Sequence, residues 1–170
     1  MKNIIVHKKN ITKILVIFFV TFAISFVSSK SSHAQNIKSI DDYITDNNSN
    51  EAQELIKLVT ELNPSIYVEN GTVKTYGKRP TNLFTNVSSF ADLQKPEILK
   101  NNIQIIRITV ETRGDLNQTI DLSSLSNYYK LKYIYIFSLV PCTENDISNM
   151  VLNNDEYSIF YKIDNGDTNQ

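Results

Sequence analysis

Four carboxylates are spaced where they could do acid–base work: Glu111 with Asp115, and Glu144 with Asp146. Two acidic side chains close together are the minimum for a glycosidase-like reaction, one protonating the leaving group and the other serving as base or nucleophile. The same residues fit solvated loop surface, where charged side chains usually stay. Other chemistries lack their parts. Both histidines, His7 and His33, precede Gln35, so the rest of the chain holds no Ser-His-Asp or Cys-His apparatus. Zinc sites built on His and Cys are excluded with them. No S-x-x-K motif offers a Ser-Lys alternative, and four scattered glycines form no phosphate-cradling loop. No cofactor is implied. The balance leans away from catalysis, with a small secreted carboxylate-dependent hydrolase as the alternative.

The remaining reactive features are sparse. Cys142 is the single cysteine, so no internal disulfide can form. Its thiol is either a small apolar group at a strand end or a free or intermolecular thiol. Asp164 to Asp167, "DNGD", has the opening of a calcium loop but too few residues after it to supply a closing glutamate. Asn47, Asn70, Asn86 and Asn117 open N-x-S/T sequons, which matter only in a glycosylating host.

The N-terminus reads as an address. Lys2, His7, Lys8, Lys9 and Lys13 precede an uncharged run, "ILVIFFVTFAISFV", of 14 residues from Ile14 to Val27. Ser32 and Ala34 follow as the small residues of a cleavage site. The run is shorter than the roughly 18–20 residues of a membrane-spanning helix. We therefore expect a signal peptide over 1–34 and an exported chain, periplasmic or extracellular, with an uncleaved anchor as the other possibility. Five of the 17 Lys/Arg lie ahead of Gln35, leaving 12 against 18 Asp/Glu, a net charge of −6. Such a chain lacks the basic face that nucleic acid or an anionic membrane requires. Stable membrane insertion after cleavage is not expected, and the oligomeric state is open.

The elements that would position these residues can be read from periodicity. Residues 35–50 are polar and turn-rich, a flexible arm. Ala52, Leu55, Ile56, Val59 and Leu62 then mark one helix face, with Asn50 as cap and Pro64 ending the helix. "SIYVENGTVKTYG" alternates around Asn70-Gly71, the signature of a β-hairpin. "GKRPTNLFTN" reads as a connecting loop, and "SSFADLQKPEILKNN" as helical turns. "IQIIRITVET", "LKYIYIFSLV" and "EYSIFYKI" read as strands. The globular domain spans 51–164, and 165–170 is a frayed tail.

Ile103, Ile106 and Ile108 fit the pattern L-x-x-L-x-L, and Leu131, Ile134 and Ile136 fit it again 28 residues later. With the lead-in "IDLSSLSNYYKLKYIYI", residues 86–139 resemble a leucine-rich repeat. The Asn or Cys that the family places after the last strand position is Glu111 in one copy and Leu139 in the other. The resemblance implies a mainly parallel sheet. A small α/β or α+β sheet with coincidental spacing is the alternative. Either way, more than 20 residues between the strands favour a parallel crossover. In register, Ile105 pairs with Tyr133, Arg107 with Tyr135 and Thr109 with Phe137, all facing away from the isoleucine side.

In the leucine-rich family that opposite face is the partner-binding one, which makes Arg107, Tyr133, Tyr135 and Phe137 the candidate binding residues. The competing reading covers them with the helix beginning at Glu51, since parallel sheets are usually buried on both sides. The expectation is thus one small α/β or α+β domain with a leucine-rich-repeat-like sheet, an N-terminal amphipathic helix and a hairpin. It would be an exported, non-catalytic module recognising a protein or glycan, or a structural accessory of a larger envelope assembly.

Overall fold

The computed structural model describes residues 37–153 and 155–164. The leader 1–34, the tail 165–170 and most of the "DNGD" stretch lie outside them. The described chain is a mixed α/β domain built on a seven-stranded sheet, ordered β1–β9–β7–β5–β4–β2–β3. These are β1 (Ile37–Ser39), β2 (Ser65–Glu69), β3 (Thr72–Tyr76), β4 (Asn82–Asn86), β5 (Ile105–Val110), β7 (Tyr133–Ser138) and β9 (Ser158–Ile163). Every neighbouring pair is parallel except β2 with β3. β6 (Ile120–Asp121) and β8 (Val151–Leu152) form a separate two-residue parallel pair. Among the described residues, no helix is long and apolar enough to cross a membrane.

Alternation fixes the register. Side chains two apart share a face, so pairing aligns Ile66, Leu83, Ile106, Ile134, Ile159 and Ile37 in one row across six strands. Val68, Thr85, Ile108, Ile136 and Tyr161 form the next row on the same face. A one-residue slip would turn both rows to the other side. The pairing of Ile105 with Tyr133, Arg107 with Tyr135 and Thr109 with Phe137 is the register expected from the 28-residue spacing. Thr85 is a polar member of the apolar rows. It is buried, and its hydroxyl donates to the Val68 carbonyl at 2.9 Å, so the burial leaves no orphaned group.

The connections after β4, β5 and β7 cover this apolar face. They are mostly 3-10 turns at Val87–Gln94, Lys100–Asn102, Asp115–Asn117 and Leu122–Leu125, with one helix, α3, at Glu144–Met150. Leu93, Ile103, Ile120, Leu122, Leu125 and Ile147 point from them into the main core. Short polar side chains start the turns: Asn86 accepts from the Ser89 amide, and Asp121 from that of Ser123. Tyr128 ties successive connections together by donating its hydroxyl to the Leu93 carbonyl at 2.7 Å.

Two helices lie on the other face. Residues expected as a flexible arm are β1 and α1 (Ile40–Asp46), anchored by buried Ile37 and Ile40. Their partners, Ile159 and Phe160, lie over a hundred residues away, so no local periodicity announced them. Helix α2 (Asn50–Thr60) is capped by Ser49, one residue earlier than expected, through the Ala52 amide at 3.2 Å. It buries Ala52, Leu55 and Leu58, whereas Leu62 falls beyond the helix end and is fully exposed. Leu55 and Leu58 each contribute about 1.5–3 kcal/mol by leaving water. The stretch taken as a connecting loop contains β4, which lies between β5 and β2 in the sheet. Asn82, Thr85 and Asn86 gave it loop-like composition, but each is buried with a hydrogen-bond partner.

Candidate binding face

The helix-bearing face of the sheet is only half covered. Its first row, Ser65, Asn82, Ile105, Tyr133 and Ser158, starts the strands. Helix α2 crosses this row. Near the helix start, Glu54 accepts from Lys132 at 2.9 Å and from the Tyr133 hydroxyl at 3.4 Å. Near its end, Asn82 donates to the Leu58 carbonyl at 2.6 Å. Satisfying one of the last helical carbonyls from a sheet residue fixes the helix to the strand beneath it.

The second row runs Lys38, Phe160, Tyr135, Arg107, Phe84, Tyr67 and Lys74. Helix α1 closes its β9 end, where the Tyr43 and Phe160 rings lie 4.8 Å apart. Tyr133 and Tyr135 are therefore buried, at 7% and 4% exposure. They belong to a second apolar cluster with Ile40, Leu55, Leu58, Ile105 and Phe160. Burial, and then the Glu54 carboxylate, push the Tyr133 phenol up to about 12. These two tyrosines meet the helices, which leave little of either ring for a partner. Arg107 and Phe137 remain half-buried at the margin.

Beyond that margin the row is open. The Arg107 guanidinium carbon sits 4.3 Å from the Phe137 ring centre and 5.4 Å from that of Tyr135. Such cation–π contacts hold a side chain in place without neutralising it. Next along the row, Phe84 is half-buried and Tyr67 is 39% exposed. Their rings stack at 4.7 Å with planes 11° apart, and Tyr76, 57% exposed, meets Tyr67 edge-on at 5.5 Å. The open half therefore presents Phe137, Arg107, Phe84, Tyr67 and Tyr76. Sequence reasoning missed Phe84 because β4 was read as loop. Tyr67 was legible in principle, since inward Ile66 and Val68 force it onto the opposite face.

The paired carboxylates have other work. Asp115 is buried, and its Oδ2 accepts from the Glu111 and Thr112 amides, both at 2.9 Å. Glu111 accepts from the Asn86 amide nitrogen at 3.1 Å. Asp146 accepts from the Thr143 amide at 2.8 Å in a reciprocal capping box at the start of α3, and those bonds hold its carboxyl below the usual range. Glu144 accepts from the Tyr161 hydroxyl at 3.1 Å. Cys142 is half-buried beside the main core, its Sγ donating to Ser138 Oγ at 3.4 Å. Of the sequon asparagines, Asn86 is buried, so a glycan could not be attached there in the folded chain.

No protein family, curated protein or solved structure matches this chain.

Proposed function

We propose that this chain is an exported, non-catalytic recognition module of the cell envelope or secretome, with a leucine-rich-repeat-like sheet. The observation that carries the reading is the open half of the helix-bearing face. There Arg107 is held on aromatic rings beside the Phe84–Tyr67 stack, where the end of α2 borders Arg107 and Phe84 through Leu58 and Val59 and leaves Tyr67 and Tyr76 exposed. Tyr, Phe and Arg in one patch are the residue types that anchor recognition surfaces. The repeat-like reading is supported by the sequential order of β4, β5, β7 and β9, with their connections packed on one face and a second parallel pair, β6 with β8, among those connections. Export rests on the apolar run after a basic start, Ile14 to Val27.

The test is an array of peptides and oligosaccharides probed with the protein and with an Arg107→Ala/Phe84→Ala double variant. Ligands retained by the first and lost by the second, at similar melting temperatures, support the reading. Equal retention by both, or none by either, removes it. Sequencing the N-terminus of the exported product tests the address, with Gln35 as the expected first residue.

A further inference from the structure

The open face continues to a bare sheet edge. Among the described residues β3 has β2 as its only strand neighbour, and Thr72, Lys74, Thr75 and Tyr76 are all exposed. Asn70 at φ 48° and Gly71 at φ 77° give the two-residue turn that closes the pair between Glu69 and Thr72. Hydrogen-bonded and non-bonded pairs alternate from there. Thr72, Lys74 and Tyr76 thus bond inward to β2, while the amides and carbonyls of Val73 and Thr75 face outward. A row of unspent backbone groups on an exposed edge is a template for another strand.

We propose, building on the recognition reading above, that the occupant of this edge is an acidic, extended polypeptide segment that adds as a strand beside β3. Its side chains would lie along Tyr76, Tyr67 and Lys74. Charge selects the partner. Lys74 stands at the centre of β3, and Lys78 and Arg79 follow in the exposed loop after it. Among the described residues, none of these, nor Arg107, is in an ion pair; the cations that have a carboxylate are Lys95, Lys132 and Lys162, while Lys38, Lys57, Lys100 and Arg113 elsewhere also have none. Glu69 is the one carboxylate on the adjoining strand β2. Arg79 is held at φ 55°, a left-handed conformation uncommon for an arginine, in a loop whose Gly77 sits at φ 81° against Pro64. A groove of about 220 Å³ lined by Tyr67, Glu69, Asn70, Thr72 and Lys74 leaves room for side chains of the added strand.

The rings favour a peptide over a glycan. Sugars stack on exposed ring faces, but the Tyr67 face is taken by Phe84 and Tyr76 meets it edge-on. The patch also offers hydroxyls and cations beside free backbone, the groups that strand addition uses. A second copy is disfavoured, because full antiparallel overlap of two β3 strands sets Lys74 against Lys74.

The test is hydrogen exchange of the protein with three probes: a short capped peptide alternating Val and Glu, its Val/Lys counterpart, and an oligogalacturonate. The expected result is slowed exchange at Val73 and Thr75 with the Glu peptide alone. Lys74→Glu should weaken that binding by about tenfold or more. Thr75→Pro, which deletes one outward N–H, should abolish it; if that variant does not fold, Lys74→Glu decides. Equal binding of both peptides, or peptide binding without protection of β3, overturns the inference. Concentration-dependent protection of β3 without peptide also overturns it, in favour of self-association. Protection by oligogalacturonate around Arg107 and Phe84, with β3 unchanged, overturns the peptide and keeps the recognition face. If no probe alters either region, the inference falls, and the array described above separately decides the recognition reading.

Discussion

Arg107 on β5 and Phe137 on β7 meet diagonally across neighbouring strands, the guanidinium carbon 4.3 Å from the ring centre, and they mark where the covered half of the sheet ends. On one side of this pair the Tyr135 ring is sealed under the helices. On the other, Phe84 and Tyr67 reach solvent.

That boundary predicts opposite outcomes for residues paired in register. Tyr135→Ala removes a buried ring and should cost about 3–5 kcal/mol, lowering the melting temperature by roughly 10–20 °C. Arg107→Ala gives up a cation–π contact at the half-buried margin and should cost about 1 kcal/mol. Thermal melts of the two variants check this, and a large loss for Arg107→Ala would place the residue in the core instead.

The Asp115 carboxylate holds the turn after β5 through two amides. Asp115→Ala leaves those donors without their acceptor and should destabilise by about 1–3 kcal/mol. Glu111→Gln keeps a group able to accept from Asn86 and should lie within about 0.5 kcal/mol of the parent. Urea unfolding resolves the difference. Turnover of a glycan substrate that disappears in Glu111→Gln would revive the hydrolase alternative.

Acid should loosen the caps before the core. Asp146 is held below the ordinary carboxylate range by its bonds from Thr143, and Asp121 by its bonds from Asn153 and Ser123. A lowered folded-state value means the contribution is complete above the unfolded value of about 3.9 and is lost as pH falls through the folded one. Urea midpoints should therefore fall between about pH 5 and 2, and Asp146→Asn should flatten part of that slope. An unchanged slope would remove Asp146 as a contributor.

Alkali acts with the opposite sign. Burial raises the Tyr128 phenol, and burial with Glu54 raises that of Tyr133 to about 12. The stability these neutral phenols contribute is complete below the unfolded value of about 10 and is lost as pH climbs toward the folded values. Absorbance at about 295 nm, followed together with circular dichroism, should show a late group of tyrosines ionising as the fold is lost. Tyr133→Phe should remove part of that late rise.

Much of the architecture was local enough to read. The spacing of Ile103, Ile106 and Ile108 from Leu131, Ile134 and Ile136 pointed to parallel strands in the observed register, because aligning the two copies of the pattern sets Ile106 beside Ile134 and Ile108 beside Ile136, and a one-residue slip would turn one row outward. The periodicity of Ala52, Leu55 and Val59 marked α2, and its burial shows which side meets the sheet. Composition and the absence of histidine after Gln35 narrowed the available chemistry without any coordinates.

What only the tertiary structure decided was which aromatic side chains are free. Tyr135 and Tyr67 lie on the same face of the same sheet and look alike in sequence, each in an alternating strand. Their fates differ because α1 and α2, placed by contacts with strands far along the chain, reach one and stop short of the other. The same non-local packing turned a polar arm into β1 and α1, and a loop-like stretch into the interior strand β4. Asn82 shows why the sequence could not announce that strand: its side chain is polar, yet it is buried because it donates to the end of a helix 24 residues away.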